Sequence, residues 1–188
     1  LLAEFLPEYI QYIGCEDTNE IQSIVSQMYE NISDGASLLE TDKYFFVFGY
    51  QRAEELKSEI QLSQSEDIDS LFNIMPTSTV SPRLSMKEMF RTIVQNGAQK
   101  GVHTIMWHDS FNAFYQNQDD KDIMSCFSMK IAFDMSAEEY SRFVSANDVS
   151  LMSENNAIYY NRARDNQKFR PYQSPDEDWL KNISDKLK

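Results

Sequence analysis

The stretch GVHTIMWHD, Gly101 to Asp109, decides how this chain is read. A glycine opens it, an apolar run follows, and polar and aromatic residues close it. That is the pattern of a buried parallel strand delivering side chains to a site. In an open α/β sheet the ligand crevice lies outside the carboxyl ends of the strands, which puts Trp107, His108 and Asp109 where chemistry or sensing is expected. Adjacent residues in extended chain point to opposite sides, so His108 and Asp109 form no acid–base pair unless the backbone turns between them.

Upstream of this strand, Ser85 and Glu88 have capping-box spacing, and Met86, Met89, Phe90, Ile93 and Val94 share one helical face. The helix is expected to end around Gly97 to Gly101. GAQKG looks superficially like a phosphate loop, but a P-loop joins a strand to a following helix and continues Gly-Lys-Ser or Gly-Lys-Thr, whereas this segment ends a helix. Glycine here serves the helix end.

Further upstream, Asp17 to about Leu39 reads as a one-sided helix, with Ile21, Ile24, Val25, Met28, Tyr29 and Ile32 in register and Asp17 with Glu20 as a capping box. YFFVFGY, Tyr44 to Tyr50, is an apolar run too short for a helix and is expected to be a strand covered on both faces. A helix from Ala53 to about Leu62 follows, then a long surface loop over 63–82 holding a short apolar knot, Leu71 to Met75. Glu54 and Glu55 read as a solvated helix face.

Downstream of Asp109, FNAFYQN and DKDIMSCF read as short helices and SMKIAFD, Ser128 to Asp134, as a strand. Ser136 with Glu139 starts another capped helix. Ala157 to Tyr160 and Lys168 to Tyr172 read as an edge hairpin over 157–172 with a polar turn from Arg162 to Asn166. PDEDWL opens a last helix with acids in its first turn. Strands separated by helices imply right-handed crossovers and a mainly parallel, three-layer α/β sheet.

The chain has 188 residues, 41% of them hydrophobic, enough for one core, and is read as a single domain. Apolar runs fall short of the ~20 residues of a membrane span, so no membrane contact is expected of this segment. The net charge of −13 opposes non-specific binding to a phosphate backbone. Cys15 and Cys126 share no metal-like spacing with His103 or His108, so no metal site is expected, and both thiols read as buried and reduced, in keeping with a cytoplasmic setting. His103 reads as a structural histidine. No GxSxG or SxxK pattern marks a nucleophile.

Set in order, NGAQKGVHTIMWHDS, SMKIAFDMSAEEYSRFV and NNAIYYNRARDNQKFRPY resemble the carboxyl-terminal half of the RecA-like motor domain of the FtsK/SpoIIIE (HerA-FtsK) family of DNA-translocating ATPases. YFFVFGYQRAEEL falls where that family has its Walker B strand. The similarity runs over about Phe45 to Leu180 and is firmest from Met86 to Tyr172. It implies a partial P-loop NTPase fold lacking the Walker A strand and loop, in a chain that is a fragment of a larger protein. His108 and Asp109 then fall at the sensor-like strand end, and Gly49, Tyr50 and Arg52 at a degenerate Walker B strand end where the usual acids are missing.

The resemblance further implies ATP and Mg²⁺ as cofactors of the full-length protein, with none expected for the fragment alone. Implied partners are further copies in an oligomeric ring and duplex DNA. The implied setting is chromosome segregation, cell division or mobile-element transfer, cytoplasmic, with any membrane association through regions outside this chain. Arg142, Arg162, Arg164 and Arg170 are all open as an arginine finger. Two other readings stand beside it: a catalytically inactive RecA-like module used for assembly, and a stand-alone α/β enzyme built on Trp107, His108 and Asp109.

Overall fold

A computed structural model describes residues 2–33, 41–59, 84–115, 118–144, 156–162 and 164–187. The expected loop over 63–82, its apolar knot and the extension of the first long helix to Leu39 lie outside the described residues. The fold is mixed α/β. Its contacts group into two compact units, Asp17–Cys126 and a second made of Leu1–Glu16 with Phe127–Lys188.

In the first unit, helix α2 (Thr18–Ile32; α1 is a single turn, Leu2–Phe5) buries Val25, Met28 and Ile32. The Asp17 side chain makes no cap hydrogen bond, so the Asp17–Glu20 capping box expected from sequence does not form. Strand β1 (Lys43–Phe48) leads to Gly49 and a 3₁₀ turn, Tyr50–Arg52. A second 3₁₀ turn, Glu55–Lys57, stands where sequence predicts a helix from Ala53. Ser58 is extended beyond it, which stops propagation, and its carbonyl accepts from the Lys87 N–H. Glu55 is no solvated acid: it accepts a 2.6 Å hydrogen bond from Gln22 of α2.

Helix α3 (Met86–Asn96) starts with the predicted capping box, Ser85 and Glu88 satisfying each other's backbone N–H. It buries Met86, Met89, Phe90 and Ile93, runs into a 3₁₀ turn (Gly97–Lys100) and ends at Gly101, whose φ of 84° is left-handed. Strand β2 (Val102–Trp107) follows at once. As expected, β1 and β2 are parallel, pairing Lys43 with Val102 through Phe48 with Trp107. Helices α4 (Phe111–Tyr115) and α5 (Gln118–Cys126) complete the unit.

Among the described residues the β1–β2 sheet is covered on one face only, which corrects the expectation for YFFVFGY. Val47 and Val102 are buried, and Phe45 packs edge-on to Phe90 of α3 with centroids 6.1 Å apart. Tyr44, Phe46, Phe48, Ile105 and Trp107 share the opposite face and are exposed, Phe48 to 74% and Trp107 to 48%. An unbroken apolar run therefore does not here mean two covered faces.

In the second unit, β3 (Met129–Phe133) is antiparallel to β4 (Ala157–Asn161), and β4 to β5 (Arg164–Phe169), in the order β3-β4-β5. Sequence placed β3 in one mainly parallel sheet; among the described residues it instead pairs with the hairpin. The hairpin itself is present, but its turn is tighter than predicted. Asn161 pairs with Arg164, so the polar residues Arg164 to Gln167 lie in β5, and the strand stops before Pro171, which has no N–H to give a ladder.

Helix α6 (Ala137–Val144) begins at the predicted Ser136–Glu139 capping box and packs Tyr140 and Val144 on Ala132 and Ile158. Helix α7 (Glu177–Leu187) is capped by Asp176, whose carboxylate accepts from the Trp179 N–H at 2.7 Å. Tyr9 reaches back to the Leu187 carbonyl at 2.9 Å. Of the two thiols expected to be buried, Cys15 is exposed and Cys126 half-buried.

Candidate functional site

The carboxyl ends of β1 and β2 meet. The Gly49 N–H donates to the Trp107 carbonyl at 3.1 Å, one step past the last residue pair of the ladder. Gly49 then takes φ 70° and ψ 46°, a left-handed conformation that turns the chain out of the strand. This turn swings Arg52 across to β2, where its guanidinium lies 2.8 Å from the Asp109 carboxylate. Gln51 donates to the same carboxylate oxygen. Two groups from the β1 exit thus hold the acid at the β2 exit.

His108 and Asp109 point apart, as the extended chain requires. Asp109 faces outward to Arg52, while His108 turns into the unit against Phe114, with centroids 4.5 Å apart, and Tyr50, at 6.4 Å. Both imidazole nitrogens are buried, and neither makes a hydrogen bond of ordinary geometry. Burial pushes the His108 pKa below its ordinary value and outweighs the Ser110 backbone and Asp120, which pull the other way. His108 is a neutral, packed side chain.

Beneath His108 lies a polar cluster of which sequence reasoning singles out Tyr50 alone. Tyr50 is 1% exposed and stacks on Phe90 with centroids 5.5 Å apart. Lys57 places its ammonium 4.5 Å from the Tyr50 ring centroid and 3.2 Å from the carboxylate of Asp120, itself 3% exposed. Burial first, and the neighbouring Asp120 carboxylate second, raise the Tyr50 pKa far above that of a free tyrosine, so the hydroxyl stays protonated. Asp120 belongs to the run DDKD at the start of α5. Nothing in its spacing distinguishes it from Asp119, which is half-exposed and pairs with Lys87 at 2.7 Å.

Of the predicted site residues, Gly49, Arg52 and Asp109 come together; Tyr50 and His108 share the packed layer behind them. Trp107 points to the open sheet face. Its side chain, that of His108 and that of Asp109 therefore diverge, and no catalytic constellation forms among the three. His103 stacks on Tyr44 at 5.2 Å and faces Asp42 at 3.5 Å, in keeping with a structural role.

The strand ends do not fit a Mg²⁺ ion. Gly49 offers no side chain, Asp109 is already engaged by Arg52 and Gln51, and among the described residues no three His, Cys, Asp or Glu side chains are grouped to hold a metal. No helix of the described residues is long and apolar enough to cross a membrane. No protein family, curated protein or solved structure matches the chain.

Proposed function

We propose that this chain is the carboxyl-terminal half of a RecA-like motor domain of FtsK/SpoIIIE type, belonging to a cytoplasmic, ring-forming protein that moves duplex DNA with ATP. The observation that carries the reading is the parallel pairing of β1 with β2, with Arg52 and Asp109 paired at the carboxyl ends, the position of the crevice in open α/β sheets. The helix–glycine–strand order of α3, Gly101 and β2 supports it too. On this reading ATP and Mg²⁺ serve the intact protein, and this segment supplies scaffold, strand-end contacts and subunit surface.

The Arg52–Asp109 pair favours a second, narrower reading within the first. With Gly49 in place of an acid at the β1 end and Asp109 at the β2 end paired to Arg52, these strand ends present no unpaired carboxylate to organise a metal or polarise water, so this module serves assembly and leaves hydrolysis to other parts of the ring. The intact protein is to be assayed for ATP hydrolysis with Mg²⁺, with and without duplex DNA. DNA-stimulated turnover supports the motor reading, and a correctly folded intact protein that is inactive under both conditions removes it. The narrower reading expects Asp109→Asn in the intact protein to leave Mg²⁺-dependent ATP hydrolysis unchanged, and a loss of hydrolysis in that variant would overturn it.

A further inference from the structure

The open face of the β1–β2 sheet has a layout that fits a copy of itself. Tyr44, Phe46 and Phe48 of β1 lie in register with His103, Ile105 and Trp107 of β2, and all but His103 are large, exposed apolar or aromatic groups. The Phe46 and Phe48 rings are nearly parallel, 8° apart with centroids at 6.3 Å, and make a flat slab. At about 150–250 Å² for a whole aromatic side chain, the exposed parts of Tyr44, Phe46, Phe48, Ile105 and Trp107 come to roughly 500 Å². A soluble monomer rarely shows more than this in one patch. Two such faces stacked on each other bury about 1,000 Å², where specific interfaces begin.

The charges at the two ends of the face select the partner and its direction. Between those ends the face carries no charged side chain, so contact with an identical face buries no ion without a partner. At the carboxyl end of the strands stands Arg52, exposed although paired to Asp109, and at the amino end stands Asp42, exposed beside His103. Stacking with strands parallel sets Asp42 against Asp42 and Arg52 against Arg52. Stacking with strands antiparallel sets Arg52 of each copy against Asp42 of the other, at both ends at once, as a two-fold axis running across the strands requires. Aligned packing of sheets allows either direction, and the end charges favour the second.

We propose that this face is a homodimer interface, in which two copies stack their β1–β2 sheets antiparallel about a two-fold axis. The buried surface is at the low end for a stable complex, so the dimer forms at tens of micromolar and is dissociated near about 1 µM. The contact uses one face of one unit and does not depend on the motor reading.

Sedimentation equilibrium of the chain between about 1 and 100 µM is expected to show monomer passing to dimer. In a Trp179→Phe background, acrylamide quenching of Trp107 is expected to fall about twofold over the same range, as its ring is covered. Phe46→Ser is expected to weaken dimerisation about tenfold or more while leaving the denaturation midpoint at about 1 µM unchanged, because Phe46 is exposed in the single copy. Arg52→Glu is expected to weaken it about fivefold, and adding Asp42→Arg to restore it, since the pairs across the axis re-form with their signs exchanged. A chain still monomeric at the highest concentration overturns the proposal, as does a dimer in which Trp107 is quenched as readily as in the monomer. Either result would leave the face to a different partner. Assembly that continues past two copies, or a double variant no better than Arg52→Glu alone, overturns the two-fold antiparallel arrangement.

Discussion

A Cβ added at Gly97 would lie 2.7 Å from the carbonyl oxygen of Val102. Helix α3 and strand β2 approach this closely because the glycine has no side chain, and the opposing atom is backbone that cannot rotate away. Gly97 has helical φ and ψ, so alanine there gains about 1 kcal/mol of helix propensity, but overpacking costs typically 1–3 kcal/mol. Gly97→Ala is expected to be destabilising on balance, by about 1 kcal/mol or more. Chemical denaturation followed by Trp107 fluorescence, in a Trp179→Phe background, measures it.

Asp120 and Lys57 form a largely buried pair beside Tyr50. Asp120→Ala leaves the Lys57 ammonium without its carboxylate, while a Lys57→Met, Asp120→Leu double exchange removes both charges. Truncating one partner of a buried pair costs about 3–5 kcal/mol, and the partial exposure of Lys57 lowers the expectation to about 2 kcal/mol. The double variant is expected to be more stable than the single one. A single variant as stable as the parent would show that water already carries the Lys57 charge.

His108 gives this unit an acid-sensitive contribution to stability. Its folded-state pKa is depressed below the ordinary 6.5, so the unfolded chain binds the proton more readily than the folded one. The stability conferred by a neutral His108 is therefore full above about pH 7 and declines as pH falls through 6.5 toward the folded value, where the decline ends. His108→Phe is expected to flatten this part of the curve, which is read from denaturation midpoints between pH 7.5 and 5.

Tyr50 is tuned in the opposite sense. Its raised pKa means the unfolded chain loses the phenolic proton first, so stability falls as pH rises above the ordinary value near 10. Ultraviolet titration is expected to show the Tyr50 phenol ionising only with unfolding, and Tyr50→Phe to lessen the alkaline loss.

The bare face of the β1–β2 sheet predicts a solubility phenotype with little stability cost. Phe48 is largely exposed, so Phe48→Ser is expected to change unfolding free energy by no more than about 0.5 kcal/mol. It is also expected to lower the binding of a hydrophobic dye and concentration-dependent self-association, because a contiguous apolar patch is broken. A loss of several kcal/mol would mean that Phe48 is packed in solution.

What could be read from sequence was what local chemistry determines. Ser85 with Glu88 and Ser136 with Glu139 form their caps, the glycine at 101 takes the left-handed turn, and GVHTIMWHD is a strand parallel to YFFVFG. Cooperation between distant segments was not legible. Asp120 is indistinguishable by spacing from Asp119, yet Tyr50 and Lys57 enclose only Asp120. Sheet membership of SMKIAFD depended on the partner it meets, and alternation of side chains along a strand carries no information about the direction of its neighbour. The Arg52–Asp109 pair spans the two strand exits and was beyond local reading, although both residues had been singled out.

The turn at Gly49 limits what a side chain at this position could do. The nearest atom to a Cβ built there is a terminal nitrogen of Arg52, at 2.8 Å. Aspartate tolerates left-handed backbone better than most residues, so the backbone at 49 would accommodate it. Its carboxylate would, however, emerge against a guanidinium and be neutralised by it, in competition with Asp109. A free acid at this strand end therefore requires Arg52 to go as well, and the first of the two exchanges alone would bring no gain. Placing an acid at 49 is thus a two-residue change, in which Gly49→Asp alone exchanges one ion pair for another.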